Sequence, residues 1–270
     1  MQNWKLTLAY DGTEYHGWQV QPGFRTVQGE LQASLARVVG ESPLPQGSGR
    51  TDAGVHALGQ VASFVLASPI PADNLKRALN RILPASIRVL VAEPVEEQFH
   101  ARYSARAKSY EYRIFRSAVC SPFLVRYVHL CRWPLDPDRL RTAAEIVVGE
   151  HDFRSFAATD PELQERNQGE QIPPPLSTVR TIFASEWRME SAELLVYRVR
   201  GNGFLHHMVR NLVGTMLEIG RGHFTAAAMA EILARRSRAA AGPTAPACGL
   251  FLHSVEYDEP EAEREMEQLG

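Results

Sequence analysis

The apolar residues of this chain change period repeatedly, and that alternation limits the folds open to it. Trp4, Leu6, Leu8 and Tyr10 recur at every second position, the spacing of a half-buried strand, and Asp11-Gly12 ends the run. Thr26 then offers an N-cap to a helix with Val27, Leu31, Leu35 and Val38 on one face, which Gly40 stops. Residues 61–66 read as a strand, residues 73–83 as a helix buried along Leu75, Leu79 and Ile82, and residues 87–92 as another strand. The remainder repeats the theme. Asp136-Pro137 supplies a cap and a first-turn proline to a helix ending near Val148, and residues 178–189 and 194–200 read as a hairpin. Gly201-Asn202-Gly203 turns the chain into a mostly apolar helix over residues 204–220, with a stripe of Leu205, Met208, Val209, Leu212, Met216 and Ile219. Thr225 caps a last helix through Arg235, and residues 243–252 lead into a closing strand with Leu250 and Leu252 on one face. Two halves, 1–105 and 106–270, therefore each carry strands and helices, which predicts an α/β (α+β) fold with a mostly antiparallel mixed sheet flanked by helices.

The densest cluster of special residues is GSGRTDAGVHA, residues 47–57. Gly47, Gly49 and Gly54 open backbone conformations closed to other residues and let a ligand approach the main chain. Arg50 stands two residues before Asp52, so an ion pair is available locally. The apolar run that follows places Asp52 in a loop feeding a sheet edge, where chemistry is often carried. The plainer alternative is a carboxylate capping a turn, since Asp and Gly are the commonest turn formers.

The eleven residues of that loop resemble, without a break, the GxGRTDxGVHA active-site loop of the tRNA pseudouridine synthase A family. The resemblance implies that Asp52 is the catalytic residue of a cofactor-free isomerisation of uridine to pseudouridine in transfer RNA. The opening stretch, LAYDGTEYHGWQVQP with TVQGEL, also resembles the family's YDGxxFxGWQxQPxxxTVQ, with Tyr15 where Phe is usual. By periodicity Trp18 is core or turn filler, whereas the resemblance puts it near RNA.

Residues 99–116, FHARYSARAKSYEYRIFR, interleave Arg102, Arg106, Lys108, Arg113 and Arg116 with Tyr103, Tyr110 and Tyr112, and Glu111 is the one acid among them. Such a mixture offers phosphate neutralisation and stacking surfaces, or else an edge strand with solvated arginines. Strand geometry puts Tyr110, Tyr112 and Ile114 on one face and Glu111, Arg113 and Phe115 on the other. The string is similar to the family's FHARxSAxxKxYxY, which implies that Tyr110 packs against the target base. On the helix at 204–220, His206, Arg210 and Gly214 follow at steps of four. A guanidinium on so apolar a helix either snorkels to solvent or meets an anion. FLHHMVRN resembles the family's F(M/L)xHMVRN, whose Arg pairs with the catalytic Asp, implying an Arg210 to Asp52 pair. PTAPACGLFL resembles APAxGLxL, implying that Leu250 lies near the target base; by periodicity it is core.

The chain has 270 residues, 44% of them hydrophobic, enough for one large or two modest domains and unlike a disordered protein. No apolar run approaches membrane-spanning length and the N-terminus lacks a basic region followed by an apolar one, which predicts a soluble, cytoplasmic protein without membrane contact. Cys120, Cys131 and Cys248 show no CxxC spacing and read as ordinary thiols of a reducing compartment. His151 and Asp152 are adjacent but have no third ligand at suitable spacing, while Phe153 and Phe156 beside them read as core anchors. No P-loop, no GxGxxG after a strand and no metal constellation occurs, so no cofactor is expected. Net charge is −2 and the isoelectric point near 6.5, which announces no nucleic-acid partner in bulk. Of 29 cationic residues only Lys5, Lys76 and Lys108 are lysines, and the arginine forks suit bidentate phosphate recognition. Residues 256–267 are acidic and offset basic segments elsewhere, while residues 157–177 are polar, hold Pro173, Pro174 and Pro175, and read as a flexible insertion.

The resemblance covers almost the whole chain. It implies two similar domains flanking a basic cleft, a homodimer, and a tRNA substrate modified at positions 38, 39 and 40 of the anticodon stem-loop. It leaves open whether Asp52 acts as nucleophile or as base. Two alternatives stand beside it: a non-catalytic RNA-binding module, which leaves the full Arg50-Thr51-Asp52 loop unexplained, and a synthase acting at another RNA site. A retaining glycoside hydrolase needs a second carboxylate, and none stands in the motif loops.

Overall fold

The computed structural model describes residues 1–158, 177–225 and 227–258 of the chain. It divides into two compact units, Met1–Lys108 joined by the chain from Phe251, and Ser109–Leu250. The sequence expectation was two consecutive halves meeting at 105/106. The structure instead carries the first unit to Lys108 and returns the chain to it at Phe251, because the last strand pairs there.

In the first unit the strand order is β4-β1-β3-β10, with β2 added on β3. β1 (Gln2–Tyr10) pairs antiparallel with β3 (His56–Leu66) and with β4 (Ile87–Val95), and β2 (Gln46–Gly47) pairs antiparallel with β3. β10 (Leu250–Tyr257) runs parallel to β3, Phe251 opposite His56 and Leu252 opposite Ala57. The alternation read in β1 is real: Trp4, Leu6, Leu8 and Tyr10 are all buried. β3 begins at His56, five residues before the apolar run starts at Val61, so the last residues of the GSGRTDAGVHA stretch are already strand.

Helix α1 (Val27–Val39) starts where expected, the Thr26 hydroxyl accepting from the Gly29 amide, and Gly40 ends it in the left-handed conformation at φ 73°. Leu31 and Leu35 are buried, and Val38 is half-buried at the rim of that face. α2 (Ala72–Ile82) buries Leu75 and Leu79 and is tied to β4 by Asn80, whose amide donates to the Val89 carbonyl (2.8 Å) and whose oxygen accepts from the Val89 amide (2.9 Å).

In the second unit the order is β5-β9-β8-β7, with the two-residue β6 (His129–Leu130) parallel to β5. β5 (Ala105–Phe115) crosses from one unit to the other and is paired, so the edge-strand reading of residues 99–116 fails. Tyr110 and Tyr112 are buried in consequence, while Tyr103, before the strand, is exposed. Glu111 is buried too and meets Arg113 (2.7 Å) and Arg198 (3.2 Å). Burial pushes its carboxyl up, but the hydrogen bonds and charges of the two arginines outweigh this and hold it below the ordinary range.

α3 (Pro137–Ile146) has the expected cap, with Asp136 accepting from the amides of Asp138 and Arg139. β7 (Gly149–Asp152) pairs with β8 (Val179–Met189), which forms the expected hairpin with β9 (Leu194–Gly201). Phe153 and Phe156 are core anchors, and Asp152 is spent on structure, accepting from Thr178 Oγ1 at 2.5 Å and from the Arg154 amide at 3.1 Å.

Two helix starts differ from the sequence reading. α4 (Met208–Gly220) begins four residues later than Phe204, because His207 sits in the left-handed region at φ 59° and halts helical geometry before it. His206 therefore lies outside the helix and does not share a face with Arg210 and Gly214, and Leu205 is only half-buried. α5 (Ala228–Arg235) is capped by Ala227 without a side-chain bond; Thr225 contributes its backbone carbonyl to the Ala228 amide (3.1 Å) rather than a cap. Most of the polar insertion at 157–177 and of the acidic stretch at 256–267 lies outside the described residues.

Gly214 on α4 lets another strand of backbone touch the helix. A Cβ at that position would lie 1.8 Å from the Pro243 carbonyl oxygen. Gly214→Ala should lower unfolding stability by about 1–3 kcal/mol, as overpacking does. Urea titration reads this as a lower midpoint at constant slope; an unchanged midpoint would show that the 243–245 segment shifts freely.

Candidate active site

In the first unit the stretch 47–57 is held from both ends. Gly47 is strand, bonded to β3, and a Cβ there would meet the Trp18 indole at 2.6 Å. The Ser48 amide donates to the Val61 carbonyl (2.7 Å) and its hydroxyl to Gln60 Oε1 (2.7 Å), while Gln60 Nε2 returns to the Gly49 carbonyl (3.0 Å). Lys108 Nζ donates to the Ser48 carbonyl. At the other end the Val55 amide closes a turn onto the Asp52 carbonyl (3.1 Å), and Gly54 takes φ 78°, which a Cβ would strain.

Between those ends the opening motif, residues 10–18, is laid against the loop backbone to backbone. The Trp18 amide donates to the Thr51 carbonyl (3.0 Å) and the Gly54 amide to the Tyr15 carbonyl (3.2 Å), so the two bonds bracket Asp52. The approach is close enough to require glycine: a Cβ on Gly12 would lie 1.9 Å from the Val55 oxygen, and one on Gly17 2.5 Å from the Thr51 oxygen. The Gly12 amide also donates to His56 Nδ1 (3.1 Å), and the Tyr10 and Thr51 hydroxyls share a hydrogen bond of 2.7 Å. Burial pushes the Tyr10 phenol up to about 12, with the Thr51 and Gln60 hydrogen bonds opposing, so it stays neutral as a fixed partner of the loop. Trp18 is 2% exposed and fills the space beneath Gly47. The periodicity reading of Trp18 as core filler therefore holds. The result is a loop with Thr51, Val55 and His56 buried, Asp52 half-buried and Arg50 exposed.

The second unit carries Tyr110, Arg210 and Leu250. Tyr110 on β5 stands edge-on to Phe204, ring centroids 5.0 Å apart at 78°. Arg210 lies in the first turn of α4 and is half-buried; its Nε donates to the Ala245 carbonyl (2.8 Å), and its own carbonyl accepts from the Ala245 amide (3.1 Å). Gly214 one turn on receives the Pro243 carbonyl, and the Gly242 amide donates to Thr215 Oγ1 (2.9 Å). Thr244 Oγ1 and Arg238 Nη2 both bond Asn211 Oδ1 (2.6 and 3.1 Å). Toward β5, Tyr112 Oη donates to the Pro246 carbonyl (2.8 Å), and a Cβ on Gly249 would meet the Tyr112 ring at 2.9 Å. Residues 242–250 are thus a strap fixed to α4 on one side and to β5 on the other, delivering Leu250 buried at the start of β10.

The structure therefore places Arg50 and Asp52 on one clamped loop, Arg210 against the strap and Leu250 at its end, and Tyr110 on β5 against Phe204. Sequence reasoning had no role for Gln60, Asn211 or Arg238, and read Tyr10 as a strand residue alone. Lys108 was read as one basic residue among five. The spacing of AKSYEY next to a strand start was the available signal for it, but its target, a carbonyl 60 positions earlier, leaves no trace in local pattern.

Comparison with known proteins bears on this geometry. The family pattern described as tRNA pseudouridine synthase matches residues 7–104 and 143–258, which take in the clamp, the loop and the strap. A Solibacter usitatus protein named tRNA pseudouridine synthase A is 51% identical over 257 residues, 95% of this chain and 100% of that one. Proteins of the same name from Bacillus pumilus and Brevibacillus brevis are 45% and 44% identical, covering 94% and 95% of this chain and 98% and 100% of theirs. Identity at this level across nearly the full length of both partners, and a family match that takes in the Asp52 loop and the strap, mean that this chain belongs to the tRNA pseudouridine synthase family.

Proposed function

We propose that this isomerase converts uridine to pseudouridine at positions 38, 39 and 40 in the anticodon stem-loop of transfer RNA, with Asp52 as its catalytic residue. The observation that carries the proposal is the Asp52 loop: a carboxylate half-exposed on a backbone that is hydrogen-bonded at 51 and 54 and gripped by glycine contacts.

The reaction breaks the N1–C1′ bond, turns the uracil, and joins C5 to C1′; N1 gains a proton and C5 loses one, so mass is conserved. Asp52 acts either by attack on ribose or base or by removing a ribose proton, and both routes need its ionised form. Arg210 and Arg50 are assigned as the cations that pair with Asp52, Tyr110 as the ring packed on the base, and Leu250 as apolar wall. The bonds from Arg210 to Ala245 support a positioned guanidinium rather than one snorkelling to solvent. The two units are proposed as the two synthase domains, with a basic cleft for the tRNA, working as a homodimer in the cytoplasm. Among the described residues no helix is long and apolar enough to cross a membrane.

Three measurements test this reading. Asp52→Asn should fold normally and lose turnover by at least about 10³-fold, the scale on which an essential catalytic carboxylate acts; full activity in the folded variant ends the assignment. Arg210→Met should lower kcat on the order of 100-fold, as loss of a charge-stabilising group does, while tRNA Kd moves little. Equal losses in both would make Arg210 a phosphate contact. Mapping pseudouridine in tRNA from a deletion strain should show loss at 38, 39 and 40; loss confined to another arm, or to ribosomal RNA, would leave the chemistry and overturn the substrate.

A further inference from the structure

Residues 15–25 form a loop whose ends are part of the Asp52 clamp and whose middle faces solvent. Tyr15 and Trp18 make the two backbone bonds that bracket Asp52, and His16 lies between them. The loop is closed on itself: the His16 amide donates to the Arg25 carbonyl (2.9 Å), the Phe24 amide to the Gln21 carbonyl (3.2 Å), and Gln21 Nε2 to the His16 carbonyl (3.2 Å). Gly23 at φ 78° makes the turn. These bonds set the His16 ring against the Phe24 ring, centroids 4.4 Å apart and tilted at 41°. Both rings are in solvent, with Phe24 53% exposed.

A single exposed Phe is unremarkable on a soluble protein. Here the ring is ordered by a second ring, on a closed loop, one residue from the bonds that fix the catalytic carboxylate. We propose that the His16–Phe24 pair is a stacking platform for the RNA nucleotide adjoining the one presented to Asp52. The inference rests on the functional reading above and names a contact surface for it. A flipped target base leaves its neighbour without a stacking partner, and an aromatic face replaces that partner at low cost. Every base has a π-face, so such a platform tolerates any neighbour, as an enzyme acting at three adjacent positions requires. The loop's own cation is already engaged: Arg25 pairs with Glu30 (2.6 Å) and Glu14 (3.5 Å) and lies 4.9 Å over the Tyr15 ring. Contact is therefore through ring faces and not through phosphate.

The test is the affinity of Phe24→Ala, Phe24→Trp and the unaltered protein for a tRNA transcript carrying uridines at 38–40, measured across a salt series with the single-turnover rate at saturating enzyme. Phe24→Ala should bind about tenfold more weakly at every salt concentration with the same slope of log Kd against log salt, because stacking releases no counterions. Phe24→Trp should restore the affinity, since it returns a π-face without adding charge. An unchanged Kd for Phe24→Ala, a loss that Trp does not rescue, or a changed salt slope would each overturn the platform while leaving the enzyme's assignment intact. Absence of pseudouridine from the unaltered protein's reaction would instead strike the functional reading and this inference together.

Discussion

The first unit depends on the contact of two backbones, residues 10–18 against 47–57. Main chains can lie this close only where one of them carries no Cβ at the crossing, and Gly12 and Gly17 supply that condition against Val55 and Thr51. With the side chains out of the way, the amides of Trp18 and Gly54 reach carbonyls across the crossing. Asp52 then sits on a segment whose neighbours on both sides are fixed, while its own side chain is left partly open. A carboxylate that must act on a substrate needs that combination: preorganised in position and accessible in charge.

The second unit solves a related problem with different means. Its strap, residues 242–250, has no regular structure beyond one short helical turn, yet carries Leu250 and sits beside Arg210 and Tyr112. Irregular backbone of this kind needs partners for its polar groups, and α4 provides them through Arg210, Asn211 and Thr215. Gly214 does for the strap what Gly12 does for the loop, removing the one methyl that would hold the segments apart. The apolar helix thus has polar residues on one side because a segment of main chain, and not solvent, lies there.

Polar residues buried in both units divide by this logic. Gln60 in the first unit touches Ser48, Gly49 and Tyr10, and Asn211 in the second touches Phe156, Thr244 and Arg238. Each uses both ends of an amide to tie a loop to a regular element, which is costly if left half-made and rigidifying when complete. Glu111, buried between Arg113 and Arg198, is the charged counterpart.

Much of this was legible in the sequence. Alternation in β1, the caps at Thr26 and Asp136, the hairpin of β8 and β9, and the anchors Phe153 and Phe156 are set by local rules of period, capping and turn chemistry, and each appears where those rules put it. The motif strings singled out Asp52, Arg50, Tyr110, Arg210 and Leu250 as candidates, since short-range spacing is what a motif records. Local rules erred where a distant group decided. His207 adopts positive φ against helix propensity and moves the start of α4; β5 is interior and not an edge strand; and β10 pairs with β3, so the chain from Phe251 rejoins the first unit. Trp18 is fixed under Gly47, a partner 29 positions away by numbering and in contact only after folding. The sequence by itself determined the elements and the reactive residue types, because these follow from neighbours along the chain. Tertiary structure alone decided which backbone crosses which, and so which glycines, amides and buried hydroxyls hold the carboxylate in place, because such crossings join residues that no local pattern connects.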